Sequence, residues 1–525
     1  MQSRNSPRPS STLAAIAAAA LGLIACTAPQ PAEPQTPTTL TIGWAADLLT
    51  LDPPNESGTA GIAVLHNVYE TLVSYDFTAG TLKGKLATEW EVSDDGRVYT
   101  FQLAENATFA NGQPVTAEDV LFSFQRVVDW PEAIQGSQIR PALAEATMTS
   151  PDDKTVQIAL AAPNASFLPS LAGTAASIIS KSQVLEAAGE DPEAQRKWLN
   201  ENTAGSGPYQ VTEWVPNSYV TLGASKSWWG GTPTYESVEI RSLQESSQQQ
   251  AALQQGDINV AMDLLPQQVT SLTGDFEVLE GVDLSTYYLS LNLAFPPFDV
   301  PKVREAIKWA IDYDNIINGL LAGKAARAGG VIAEGLPGFD ASLADDYSYD
   351  PEKAKALLKE AGYANGFSFD LYYVTGDSIR GLGVPLSTLA EKIQSDLGDV
   401  GIKVNVVAQD LSTLFTSYRA AKLPALIWYF GSTIPDPDQI VSAHGDWNTQ
   451  ATTRVSFNDR AITEKILRAR VLTDPDERAA IYKEIGERLS EIGPYVFMFR
   501  PIPAVVATPD VSGFTLTPIW SFNLS

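Results

Sequence analysis

Between Leu86 and Val128 the hydrophobic pattern changes period from two to 3.6 residues. Tyr99, Phe101 and Leu103 alternate with Thr100 and Gln102, giving an extended segment one apolar face. Asp95-Gly96, just ahead of it, has the chemistry of a two-residue turn with positive φ, so a hairpin is expected. Thr116 then precedes Val120, Phe124 and Val127 at helical spacing, with Asp119 placed to complete a capping box. Similar alternation predicts strands at Leu40 to Trp44, Thr155 to Leu160 and Val238 to Leu243, and the pattern from Gln248 to Gln255 predicts a helix. Ser57 to Gly61 reads as a flexible glycine-containing loop, with the first helix opening at His66. The second half has a regular α/β rhythm. Strands are expected at Phe367 to Val374, Ile402 to Val407 and Ala425 to Phe430, with helices at Leu386 to Leu397 and Ser412 to Lys422 between them. That alternation predicts parallel pairing. A last long helix starts at Asp474-Pro475 and carries Ile481, Ile485 and Leu489.

The start of the chain has a different character. Arg4 and Arg8 precede an apolar run from Leu13 to Ile24, too short for a transmembrane helix and shaped like a secretory leader. Thr27 to Pro37 carries Pro29, Pro31, Pro34 and Pro37, which predicts an extended tether. No later stretch is long and apolar enough to span a bilayer.

Lysine and arginine number 35 against 62 acids, a net charge of −27 that argues against a nucleic-acid partner. The only cysteine is Cys26, so no intrachain disulfide is possible, and the two histidines, His66 and His444, are far apart. No metal cluster can be drawn locally, no nucleotide or dinucleotide loop occurs and no cofactor is expected. Nucleophile-elbow and zinc-protease signatures are also missing, so the chain is read as a non-enzyme.

The ordered motifs carry a resemblance. Leu86-Ala-Thr-x-Trp-x-Val, Asp95-Gly96, Tyr99-Thr-Phe-x-Leu and Val115-Thr-Ala-Glu-Asp-Val are followed by Gly205-Ser-Gly-Pro-Tyr, Trp228-Trp-Gly, Gly256-Asp-Ile-Asn-Val and Tyr287-Tyr-Leu-x-x-Asn. This order resembles the extracytoplasmic solute-binding proteins of bacterial ABC importers, family 5, which include oligopeptide, dipeptide and nickel binders. Leu23-Ile-Ala-Cys26 resembles a lipobox, with Cys26 as lipid attachment; an ordinary signal peptide with an incidental cysteine is the alternative. The resemblance implies an α/β, two-lobed periplasmic-binding-protein-like fold with an extra domain inserted in the first lobe. The expected division is a lipoprotein signal peptide at 1–25, a tether at 26–38, lobe I from 39–75, 205–286 and 507–525, an insert at 76–204, and lobe II at 287–506. It further implies a monomer, lipid-anchored on the extracytoplasmic face of the membrane or in the periplasm, that delivers its ligand to a separate permease and ATPase.

Ligands of open α/β sheets sit beyond strand carboxyl ends. The candidate is the stretch after Ala425 to Phe430, reading Gly431-Ser432-Thr433 and ending in Asp436-Pro-Asp, whose backbone could pair with an extended peptide. Family peptide binders place an ammonium-binding aspartate where this chain has Thr433. Asp436 is either a ligand contact or a turn former; Trp428 and Tyr429 either line the cleft or pack core. A family arginine for the peptide carboxylate falls near Ser387 and Thr388, and Arg380 could substitute or be a solvated loop residue. Thr59 and Gly61 match the segment that touches the ligand's other edge. Peptide capture is the leading reading. An oligosaccharide binder, with some of the 11 tryptophans as stacking faces, is the alternative, and a secreted hydrolase a weaker one.

Overall fold

The computed structural model describes residues 38–76, 81–518 and 521–524. The expected leader, the expected lipid attachment at Cys26 and nearly all of the expected tether lie outside these residues.

Two mixed sheets organise the described chain. The first has seven strands, in the order Glu277–Glu280, Ala504–Ala507, Val260–Ala261, Thr39–Trp44, Ser237–Ser242, Tyr219–Ala224, Tyr209–Val215. Thr39–Trp44 runs parallel to both its neighbours and buries Leu40, Ile42 and Trp44. The second has six strands, in the order Ala325–Arg327, Tyr495–Pro501, Ser285–Leu291, Ala425–Gly431, Ser368–Val374, Lys403–Gln409. Parallel pairing holds where helices link the strands, between Ser368–Val374 and each of its neighbours. Elsewhere in this sheet the pairing is antiparallel.

The chain passes between the two sheets at residues 281–284 and again at 502–503. The two crossings lie side by side, with the Gly281 N–H donating to the Pro503 carbonyl at 2.9 Å.

A third sheet of four strands, Ala87–Val92, Val98–Leu103, Thr155–Ala159 and Thr147–Asp152, carries the opening motifs. Tyr99, Phe101 and Leu103 are buried as their alternation predicts, and helix Ala117–Val128 lays Val120, Phe124 and Val127 on the same core. The Asp119 carboxylate accepts the Thr116 N–H at 2.9 Å and its hydroxyl at 2.7 Å, which fixes the start of that helix. The turn is longer than two residues. Residues 94–97 form the loop, closed by Ser93 N–H to Val98 O at 2.9 Å, with Gly96 at φ +67°. The Ser93 hydroxyl donates to Asp95 at 2.6 Å and accepts from Val98 N–H at 2.9 Å, so side-chain bonding favours the longer loop.

Of the expected loop at Ser57 to Gly61, Ser57 and Gly58 precede helix Thr59–Val68 while Thr59 to Gly61 form its first turn, and His66 sits near that helix's end. Glu56, fully buried, accepts the N–H groups of Leu49 and Thr50 at 2.9 and 3.0 Å and packs directly beneath Gly61. A Cβ at Gly61 would collide with that carboxyl group, so the glycine serves close packing rather than mobility.

Candidate functional site

A cavity of about 320 Å³ opens where strand Ala425–Gly431 ends and strand Ser285–Leu291 begins. Opposite stands the first turn of helix Thr59–Val68, and Gln135, Gln138 and Thr174 close a third side. The carboxyl end of a strand thus faces a helix start across a cleft between the two sheets. The cleft continues past Thr59, Arg380 and Tyr429 into a second hollow lined by Trp44, Asp263 and Asp377.

Strand alternation splits the aromatic residues between two faces of the second sheet. On one face Tyr287 stacks between its cross-strand neighbours Tyr429 and Phe499, with ring centroids 4.9 and 5.0 Å away. The Tyr287 hydroxyl accepts the Arg380 N–H at 2.9 Å, and the Arg380 guanidinium donates to Ser285 Oγ at 3.0 Å. The stack therefore positions the arginine. Burial opposes the Arg380 charge, but Asp283, Tyr429 and Tyr287 outweigh it and raise its pKa.

Asp283 lies in the first crossing between the sheets and faces the cavity. It is 2 % exposed; Oδ1 accepts the Ser285 N–H at 2.6 Å, while Oδ2 has no hydrogen-bond partner among the described residues. A buried carboxylate oxygen left in this way is poised for a donor on a ligand.

The other face carries Tyr288, Trp428 and Phe430, packed with His444 and Tyr495. His444 Nδ1 lies 2.7 Å from the Ile440 carbonyl, and its Nε2 has no partner among the described residues. Burial pulls the His444 pKa down to about 4, so the ring is neutral, and the Nδ1–H donates to that carbonyl. Arg454 and Tyr418 complete this wall, with the guanidinium carbon 5.3 Å from the Tyr418 ring centroid.

Thr59, Arg380, Trp428, Tyr429, Gly431, Ser432 and Thr433 all line the cavity. Gly431 is required by close approach, because a Cβ there would strike the Ser285 hydroxyl. The Thr433 N–H is already committed to Gln439 Oε1 at 2.9 Å, and its hydroxyl accepts from Gln138 at 2.7 Å. Gly61 and Asp436 are not among the lining residues. Gly61 is spent on Glu56, as above. Asp436 is 1 % exposed, paired with Arg478 at 2.6 Å, and caps helix Pro437–Gly445 through the Asp438 N–H at 2.8 Å. Its carboxylate belongs to an internal ion pair rather than to the cavity wall.

Asp283, Tyr288, His444 and Arg454 face the cavity without having been singled out as contacts from the sequence. Asp283 had one usable signal: a lone acid just before the Tyr287-Tyr288 motif, where the chain leaves the first lobe. His444 and Arg454 had none, since only the tertiary fold brings their helix and loop behind Trp428. Among the described residues no group of three or more His, Cys, Asp and Glu could hold a metal ion, and no helix is long and apolar enough to cross a membrane.

The cleft between two crossed-over α/β lobes, with its aromatic and charged lining, is the arrangement of a solute-binding protein. Residues 81–451 match the family described as bacterial extracellular solute-binding proteins, family 5. A probable D,D-dipeptide-binding periplasmic protein of Escherichia coli is 30 % identical over 93 % of each chain. Di/tripeptide-binding protein 2 of Pseudomonas aeruginosa is 29 % identical over 93 % of this chain and 94 % of its own. In structure, an ABC transporter-associated periplasmic binding protein of Helicobacter pylori, in complex with the peptide STSA, superposes with a TM-score of 0.77. It is 25 % identical and matches 93 % of this chain and 98 % of its own. The chain belongs to family 5 of the bacterial extracellular solute-binding proteins.

Proposed function

We propose that this chain captures short peptides in the interlobe cavity and delivers them to the permease of an ABC importer, driven by a separate ATPase. Lipidated at Cys26 and tethered by the proline-rich segment, it works at the extracytoplasmic face of the membrane. The relatives named for dipeptides and di- or tripeptides, and the structural neighbour holding a tetrapeptide, support the ligand class. The cavity volume of about 320 Å³ falls at the small end of ligand pockets, which run from roughly 300 to 1,000 Å³.

The observation that carries the reading is the opposed pair Arg380 and Asp283 at one cavity edge, beside the strand-terminal backbone at Gly431. A peptide carries a carboxylate and an ammonium, and these groups answer both charges. Thr433 cannot bind an ammonium group ionically, and Asp283 supplies the acid instead. Charge-assisted hydrogen bonds contribute roughly 1.5–3 kcal/mol, or about one to two decades of affinity. Calorimetry on matched free and amino-terminally acetylated peptides tests this. Acetylation is expected to weaken binding tenfold or more in the wild type, and Asp283→Asn to remove most of that difference. Mass spectrometry of ligand co-purified with the protein should show peptides; an oligosaccharide bound there, with no peptide binding in the calorimeter, would overturn the reading.

A further inference from the structure

The wall behind Trp428 carries chemistry that the pair Arg380 and Asp283 does not use. Among the residues facing the cavity the ionised groups are Arg380, Arg454 and Asp283, so the lining holds one net positive charge in a chain whose total is −27. Asp283 and Arg380 influence each other directly. Arg454 has no ion pair among the described residues, and its buried Nε has no hydrogen-bond partner. Its guanidinium lies 5.3 Å from the Tyr418 ring centroid and donates to the Tyr418 hydroxyl, a neutral partner that is weaker than a desolvated anion.

Three phenols gather round this cation. Tyr288, Tyr418 and Tyr495 line the same cavity as Arg454; the Tyr418 ring centroid is 5.3 Å from the guanidinium carbon, and the Tyr288 and Tyr495 rings meet edge-on at 5.5 Å. Neither the Tyr288 nor the Tyr495 hydroxyl bonds to another described residue, so both protons are available. His444 stands edge-on to Tyr288 and Tyr495, at 5.1 and 4.8 Å between ring centroids, and its Nε2 has no partner among the described residues. The ring bonds through Nδ1 to the Ile440 carbonyl, leaving a lone pair rather than a second cation towards the phenols. One guanidinium among hydroxyl donors, walled by rings, is complementary to a small planar oxygen anion. A carboxylate entering there would satisfy a cation that the protein leaves without a counter-charge.

We infer that Arg454, with Tyr288, Tyr418 and Tyr495, forms a subsite for a carboxylate group of the ligand. The inference rests on the peptide reading and deepens it: a peptide can present such a group from an acidic side chain or from its carboxyl terminus. An acidic side chain there makes the preferred ligand a net anion, whereas the terminal carboxylate leaves it a zwitterion.

The test is calorimetric titration of the mature protein with tripeptides of alanine. Each carries glutamate at one position or glutamine in its place, as free acids and as carboxyl-terminal amides. At least one neutralisation should weaken wild-type binding tenfold or more, and the position that responds distinguishes a side-chain carboxylate from the terminal one. In Arg454→Gln the same neutralisation should change affinity by less than threefold. Arg454→Lys, which keeps the charge and loses the planar fork, should retain a reduced preference, and it stands as the readout if the glutamine variant does not fold. Equal binding of charged and neutral peptides by the wild type overturns the subsite alone, as does a full preference kept by the Arg454 variants. Failure of every peptide to bind overturns the peptide reading and the subsite with it.

Discussion

Asp263 carries a carboxyl group into the cleft, where Oδ2 accepts the Ala45 N–H at 2.8 Å. Burial raises its pKa from 3.8 to about 6, with the Ala45 and Gln249 hydrogen bonds acting in the opposite direction. The folded state therefore binds this proton more tightly than the unfolded chain does. The stabilising contribution is complete below the unfolded value and is lost as pH rises through the folded one. Asp263→Asn keeps an acceptor for Ala45 and removes the titration. Its melting temperature relative to wild type should climb between about pH 4 and pH 6.5 and then level off, with a span on the order of 2–3 kcal/mol. A difference that stays constant across that range would mean that the carboxyl titrates as an exposed one does.

Helix Pro437–Gly445 shows how an element can hide the role of its first residue. Asp436 has the sequence signature of a cap, with Pro437 at the first helical position, and the cap forms. The same carboxylate makes a two-pronged pair with Arg478, at 2.6 and 2.8 Å, and accepts from Ser166 at 3.1 Å. Asp436→Asn should cost about 3 kcal/mol in denaturant unfolding, because it leaves the Arg478 charge buried without its partner. Asp436 does not face the cavity but accepts from Ser166, so Asp436→Asn should weaken peptide binding no more than Ser166→Ala does in calorimetry; a larger loss of affinity at full stability would put the carboxylate back in the site. The periodic elements were legible because their information is local: the alternation at Tyr99 to Leu103, the capping pair Thr116 and Asp119, and the α/β rhythm after Asp350. The strand ending at Gly431 was legible for the same reason, but spacing left Trp428 and Tyr429 open between cleft lining and core packing. What Asp436 does depends on Arg478, 42 residues further along, and the Arg454 cluster joins four separate elements, so neither could be read from spacing. The start of helix Thr59–Val68 was missed because Gly61 reads as a breaker until Glu56 is seen beneath it.

At the scale of the molecule, among the described residues only 281–284 and 502–503 connect the two sheets through the backbone, and they lie next to each other. Adjacent crossings permit rotation of one lobe against the other at the cost of a few backbone torsions. What opposes opening is a set of polar contacts across the cleft mouth. Gln138 donates to Thr433 Oγ1 at 2.7 Å, Arg478 donates to Ser166 Oγ at 2.8 Å, and the Ala165 N–H donates to the Arg470 carbonyl at 2.9 Å. Each such bond contributes roughly 0.5–1.5 kcal/mol, or about 1.5–3 where a charge takes part. Their sum is comparable with the free energy separating two populated conformers, so ligand binding can decide between them. Small-angle scattering should give a smaller radius of gyration with a bound peptide than without. The double variant Gln138→Ala and Ser166→Ala should be more open without ligand, equally compact at saturation, and about tenfold weaker in affinity, because a smaller fraction of molecules is closed before binding. Identical scattering profiles with and without saturating peptide would show that the crossings do not act as a hinge. A double variant with unaltered affinity would show that these cross-cleft contacts do not set the balance.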